Sequence, residues 1–178
     1  LHVPDVAAGI YHTVTQAVVF GFVAMLVVHN VTRRYRPEET ARLLAMRATG
    51  HVVVVGYSHF GRRVTEMLLA KRRPLVVVHP HRSDVETLIR DEQPLILGTG
   101  YDKPDLVAAA VDKAAVVILA SDDVTVSAVA LQTIRSLNKE CDIIVRCPDD
   151  DVGEVLSRAY GARVVSTSKL VAQHLATT

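Results

Sequence analysis

The chain has 178 residues, 49% of them hydrophobic, and a formal net charge of +1; that is room for one good-sized globular domain with an appendage, and two full domains would be a tight fit. Near-neutral charge argues against a nucleic-acid partner, which needs a basic face, and an aromatic content of 4% argues against stacking platforms for single strands. The two cysteines, Cys141 and Cys147, would lie roughly 20 Å apart in extended chain, beyond disulfide reach, and read as free thiols in a reducing compartment.

Residues 1–35 form a hydrophobic region. The chain begins at Leu1 and is expected to be an excerpt with sequence missing upstream. No formally charged residue lies between Asp5 and Arg33, and Ala17 to Val28 is continuously apolar. With Val6 to Gln16 added, the segment matches the roughly 20 residues that cross a hydrocarbon core. Arg33, Arg34 and Arg36 follow at once and place the C-terminal side in the cytoplasm. This predicts a cell-membrane protein with residues after about 33 in the cytoplasm. His12, Thr13, Thr15 and Gln16 dilute the run, so an apolar helix buried in an oligomer interface is the other reading. A cleavable signal peptide fits less well, since its apolar core is shorter and its charges come first. Gly21 is either a hinge or an incidental small residue.

Residues 36–50 read as a linker helix. Arg36-Pro37-Glu38-Glu39 is a helix start, with Pro early and acids at the positive end of the dipole. Glu38 to Arg47 is polar, carries Leu43, Leu44 and Met46, and predicts a stiff connector that ends at Thr49-Gly50.

Residues 51–178 alternate strands and helices with short connections. That is the pattern of a Rossmann-like, doubly wound parallel sheet of six strands. Strands are predicted at Val52–Val55, Leu75–Val78, Pro94–Leu97, Ala115–Ala120, Ile143–Val145 and Arg163–Val165. Helices are predicted at 62–69, 83–90, 105–111, 123–137, 149–160 and 169–175. In the helix over 123–137, Val126, Val129, Ala130 and Ile134 form the apolar stripe. Val52 to Val55 are apolar on both parities, as in a strand covered by helices on both sides.

The stretch HVVVVGYSHFGRRVTEMLL, His51 to Leu69, joins a buried strand to a helix through Gly56, Tyr57, Ser58, His59, Phe60 and Gly61. This is the opening unit of a dinucleotide-binding fold, a backbone-built anion site. Ser58 occupies the middle glycine position and puts a Cβ where a pyrophosphate approaches most closely. At the end of the second strand, where a carboxylate ordinarily holds the adenosine ribose, stand Val78, His79, Pro80, His81 and Arg82. Histidines and an arginine suit a phosphate, as in NADP or a mononucleotide. His79 and His81 also share a face and could pair on a metal, or be solvated residues at a strand end. Asp84, a turn later, is a weak substitute for the ribose acid. Arg62 and Arg63 either close over an anion or are surface charges.

Ser121, Asp122 and Asp123 lie on the carboxyl edge of the sheet, where ligands of open α/β sheets collect. Arg146 ends the fifth strand on the same edge; its simplest role is a salt bridge to Asp122 or Asp123, with ligand contact as the alternative. Asp149, Asp150 and Asp151 offer oxygen ligands to a divalent ion, but acids at a helix start are more often there for the dipole. No nucleophile-and-base pair is recognisable, and no second domain follows to carry catalytic residues. The sequence therefore reads as that of a non-enzyme.

From His51 to Thr178 the chain resembles the RCK domain, also called the TrkA-N domain, a cytoplasmic regulator of potassium channels and transporters. The resemblance rests on HVVVVGYSHFGRRV, LILGTGYDKPDLVAAAV, AAVVILASDDVTVSAVAL, IIVRCPDDD and GARVVSTSKLVAQHLA, in that order and spacing. The sequence departs from the family pattern at Ser58, at His79 for the ribose acid, at Thr99 for the usual acid after Gly98, and at Ser127 for a frequent Asn. The resemblance implies a gating domain that senses a nucleotide (NAD(H), NADP(H), ATP, ADP or AMP) or a divalent cation and pulls on a pore helix through the linker. It implies a homo-oligomer, from dimer to octameric ring, and potassium ions passing an upstream pore. A Kef-like antiporter regulator and a fragment of an NAD(P)-dependent oxidoreductase are the alternatives. Departure at Ser58 and His79 leaves open whether the turn binds nucleotide at all.

Overall fold

A computed structural model describes residues 3–35 and 37–166. The predicted closing helix over 169–175 lies outside the described residues. The chain divides into two units, 1–37 and 38–178.

The first unit is one helix, α1 (Val3–Tyr35). Its stretch Tyr11–His29 is long and apolar enough to cross a membrane, with a mean hydropathy of 1.7. As a continuous helix it pairs its backbone groups internally along this stretch, which a lipid environment demands.

The second unit begins at the second residue of α2 (Pro37–Arg47) and continues as the alternation predicted above: β1 (Val52–Val55), α3 (His59–Ala70), β2 (Leu75–His79), α4 (Glu86–Arg90), β3 (Leu95–Leu97), α5 (Lys103–Ala108), β4 (Val116–Leu119), α6 (Val124–Leu137), β5 (Asp142–Arg146), α7 (Asp150–Tyr160) and β6 (Arg163–Val165). All neighbouring strands pair in parallel in the order β3-β2-β1-β4-β5-β6. The chain order reverses between β1 and β4. That switch point opens a crevice at the carboxyl ends of the central strands.

Side chains alternate across the sheet. Val53, Val55, Val76, Val78, Val117, Leu119, Ile143 and Val145 belong to one buried cluster with residues of α5, α6 and α7. Val52, Val54 and Ile118 pack instead with Phe60 and Val64 of α3. Both faces are therefore covered, which explains why the strands read as unbroken apolar runs.

Two sequence expectations need correction. The buried stripe of α6 is Ser127, Ala130, Leu131 and Ile134, while Val129 stands 47% exposed. Ala130 and Ile134 are buried as expected, while Ser127 and Leu131 take the places assigned to Val126 and Val129. The linker helix is also more than a connector. Ala41 and Ala45 are fully buried, Ala41 in a cluster with Leu75, Val77 and Leu95, Ala45 in the cluster with Val76, Val78 and Ile96. The larger Leu43, Leu44 and Met46 are exposed. Helix α2 is thus part of the sheet domain, docked through its small residues, and lines a cleft with β3 and α5.

Candidate functional site

The glycine turn sits at the switch point. Gly56 has φ of +93°, a conformation that glycine adopts without steric cost, and its N–H donates to the Val78 carbonyl at 2.9 Å. At Gly61 a Cβ would overlap the carbonyl oxygen of Gly56 and stand 3.1 Å from the Ala120 Cβ. The first turn of α3 therefore lies flush against the strand that feeds it.

Ser58 is the N-cap residue of α3 yet makes no capping bond with its side chain. Its hydroxyl donates instead to the Ala120 carbonyl at 3.3 Å. The first-turn N–H groups are left without a side-chain acceptor, which is what an anion site at a helix N-terminus requires. The Cβ that the sequence places in the path of a pyrophosphate is tied down toward the end of β4.

His79, which the sequence offered as a phosphate ligand, a metal partner or a solvated residue, has both ring nitrogens engaged within the chain. The register of β1 on β2 pairs Val55 with Val78, so the next residue of β2 lies beside the turn. The Tyr57 N–H donates to His79 Nδ1 at 3.1 Å, and His79 Nε2 lies 2.8 Å from the Asp84 carboxylate. An accepting Nδ1 fixes the hydrogen on Nε2, which then donates to Asp84. Both nitrogens of this buried ring are occupied. His81 stacks edge-on to it, 5.7 Å between centroids. The hydrogen bond from His79, then that from Ser83, holds the Asp84 carboxyl below its usual range. Burial pushes the Tyr57 phenol up, partly offset by the Arg62 guanidinium, which lies 5.4 Å over its ring.

The other predicted groups separate. Gly56, Tyr57, Ser58, His79, His81, Ser121 and Asp122 line one cleft of about 380 Å³. His59 and Phe60 open α3, and Phe60 packs under the Arg146 guanidinium at 5.5 Å. Arg82 turns to the linker, pairing with Glu38 at 2.8 Å, and Arg63 pairs with Glu66. Arg146 forms the expected ion pair with Asp122. Ser121 Oγ accepts the Asp123 N–H at 3.1 Å, and Asp123 caps α6. Asp149 caps α7 in the same way, and among the described residues no group of three or more His, Cys, Asp or Glu is placed to hold a metal ion. Cys141 and Cys147 are free and buried.

Thr99, read in the sequence only as a departure from the family pattern, and Tyr101, which escaped that reading, also line the cleft. The acid missing after Gly98 is supplied from further along: Asp105 accepts the Thr99 N–H at 2.7 Å and the Thr99 hydroxyl at 3.2 Å. It occupies the space where a Cβ on Gly98 would stand. A glycine followed seven residues later by Asp was the available signal.

With this geometry in hand, known proteins can be compared. The model of the TrkA-N domain matches residues 52–167. The TrkA-N domain of the inner membrane protein ybaL from Escherichia coli superposes with a TM-score of 0.70 at 26% identity, over 74% of this chain and 97% of that one. GsuK bound to ADP gives 0.69 at 25% identity, over 89% of this chain and 42% of that one. A putative K(+) efflux antiporter KefB from Alkalimonas amylolytica is 23% identical over 115 residues, 65% of this chain. The chain spans 17% of the length of that relative. The six-stranded parallel sheet, the glycine turn at its switch point and the match across them agree, and the chain belongs to the TrkA-N domain family.

Proposed function

We propose that residues 38–178 are a regulatory domain that senses an adenine nucleotide in the cleft at the glycine turn and passes the signal through α2 to a potassium channel in the membrane. The observation that carries this reading is the uncapped first turn of α3, with the Ser58 hydroxyl drawn away to Ala120. It offers a phosphate site beside a cleft of nucleotide dimensions. GsuK, similar over most of this chain, has been crystallised with ADP.

The ligand is sensed and not turned over. Two ionisable groups at the cleft are already committed, His79 to Tyr57 and Asp84, and Asp122 to Arg146. A nucleotide is favoured over a divalent cation because His79 has no free nitrogen for a metal. A channel is favoured over a Kef-like antiporter because the likeness to GsuK reaches 89% of this chain, more than residues 38–178 make up. The candidate membrane span Tyr11–His29 and the arginines after it support a position of the domain at the inner face of a cell membrane. Exposed Leu43, Leu44, Met46 and Val107 support assembly with further copies.

Signal transfer needs only different ligand affinity in two states. The route is the loop after β2, where His79 and His81 line the cleft and Arg82 grips Glu38 on α2. Thermal melting with ADP, AMP, ATP, NADH, NADPH and calcium tests the reading. A nucleotide at 100 times its Kd adds about 2.7 kcal/mol, which raises Tm by about 5–10 °C in a domain of this size. A flat response to every nucleotide overturns the assignment, and a response to calcium alone transfers it to a cation.

A further inference from the structure

His51 is fully buried where the linker enters the sheet, at the opposite end of β1 from the cleft. Its Nε2 lies 3.0 Å from the carbonyl oxygen of Ala109, the residue that closes α5. Since a carbonyl only accepts, the hydrogen is on Nε2 and Nδ1 is a bare imine nitrogen. That Nδ1 is sealed from solvent and has no hydrogen-bond partner. Two backbone bonds flank the ring: the Gly50 N–H donates to the Lys113 carbonyl at 2.8 Å, and the Ala115 N–H donates to the His51 carbonyl at 3.0 Å. Ring and backbone together fasten residues 50–51 to the segment 109–115.

A second proton on this ring would put an N–H and a positive charge where no acceptor waits, and such a group is costly to bury. The charged side chain acting on the ring is Asp112, on the turn Val111–Lys113, and it favours the charged form, as does the Ala109 carbonyl; burial outweighs both and holds the imidazole below its ordinary value of 6.5. We propose that His51 is an acid-sensitive latch: neutral, it fastens the linker to the sheet; protonated, it releases residues 48–51 from the 109–115 segment. The linker would then take two inputs, ligand at the carboxyl end of the sheet and protons at the amino end. This does not depend on what the cleft binds.

The sign follows from linkage. The fastened state binds the proton more weakly than the released state, so the latch is at full strength above pH 6.5 and weakens as pH falls below it. The released population grows by up to about tenfold per pH unit until the fastened ring itself titrates. Hydrogen exchange of the whole 178-residue chain in lipid nanodiscs, corrected for intrinsic rates, reads this out at the Gly50 and Ala115 amides. Protection is expected to fall up to about fivefold between pH 6.5 and pH 5.5, and His51→Gln, whose carboxamide nitrogen still reaches Ala109 without titrating, is expected to abolish the change. An unchanged acid response in His51→Gln, or none in the unsubstituted chain, overturns the latch. Imidazole ¹⁵N shifts of the unsubstituted protein test it independently of how the variant folds: a bare Nδ1 at pH 7.5 supports it, and a protonated Nδ1 refutes it.

Discussion

Replacing His79 by Leu separates a ring that builds the site from a ring that waits for a ligand. In the structure its Nδ1 is the acceptor for the Tyr57 N–H inside a buried turn. Leucine fills most of the same volume but leaves that N–H without a partner, a cost of about 1–3 kcal/mol. The contact with Asp84 is exposed on the carboxylate side and is screened by solvent. The orphaned N–H, at about 1–3 kcal/mol, lowers Tm by about 2–12 °C at the 2–4 °C per kcal/mol typical of this size. His79→Asn discriminates, because its amide oxygen can take the place of Nδ1 and accept from Tyr57 while the link to Asp84 is lost. Calorimetry without ligand should therefore rank the unsubstituted chain first, His79→Asn close behind and His79→Leu well below. If His79→Leu melts with the unsubstituted chain, or His79→Asn falls as far as His79→Leu, the turn does not depend on this acceptor and the reasoning fails.

Gly61→Ala drives a Cβ into the Gly56 carbonyl, which is backbone and cannot rotate away; the cost is expected at the upper end of overpacking, about 3 kcal/mol, read as a lower urea midpoint with an unchanged slope. Asp84→Asn is expected to change acid sensitivity. The folded carboxyl is held below its usual value of 3.8 by His79 and Ser83, so its contribution is present above that pH and is lost as pH falls through the folded value. Urea midpoints of the two proteins should differ at pH 6 and converge toward pH 2, and a constant difference would remove the assigned cause.

The sheet was legible because burial on both faces leaves no room for polar residues in β1, β2 or β4, and a run such as Val52–Val55 suits few environments besides a covered parallel strand. The helix ends were legible where chemistry is local, as with Asp123 and Asp149 at their caps. What stayed hidden needed partners distant in sequence. His79 looked like a ligand because nothing in the sequence shows that the β1–β2 register sets it against the Tyr57 N–H. Asp105 was passed over because it reaches Thr99 through the space above Gly98, six residues away. Helix α2 was read from its large residues, whereas the ones that dock are Ala41 and Ala45, whose burial depends on closeness and not on size. In α6 the valines drew the stripe toward solvent, because the helical period alone cannot choose between adjacent apolar rows.

The same docking decides how α2 can act. Its first turn is held by Glu38 to Arg82, a pair whose side chains are 37% and 63% exposed and which is therefore worth about 0–1 kcal/mol. Beyond its last turn the chain is held by His51 and the Gly50–Lys113 bond, buried contacts of about 1 kcal/mol each when made and about 1–3 kcal/mol when a polar partner is orphaned. The weak clasp is beside the proposed ligand cleft and the strong one is at the far end of the sheet. In the proposed function a bound nucleotide competes with the Arg82 pair and shifts the first turn over the packing of Ala41, while the far end stays fixed. The helix then turns about its His51 end, and its first residues, those that follow α1, move furthest. Had the strengths been reversed, a ligand at the cleft would have had little to move.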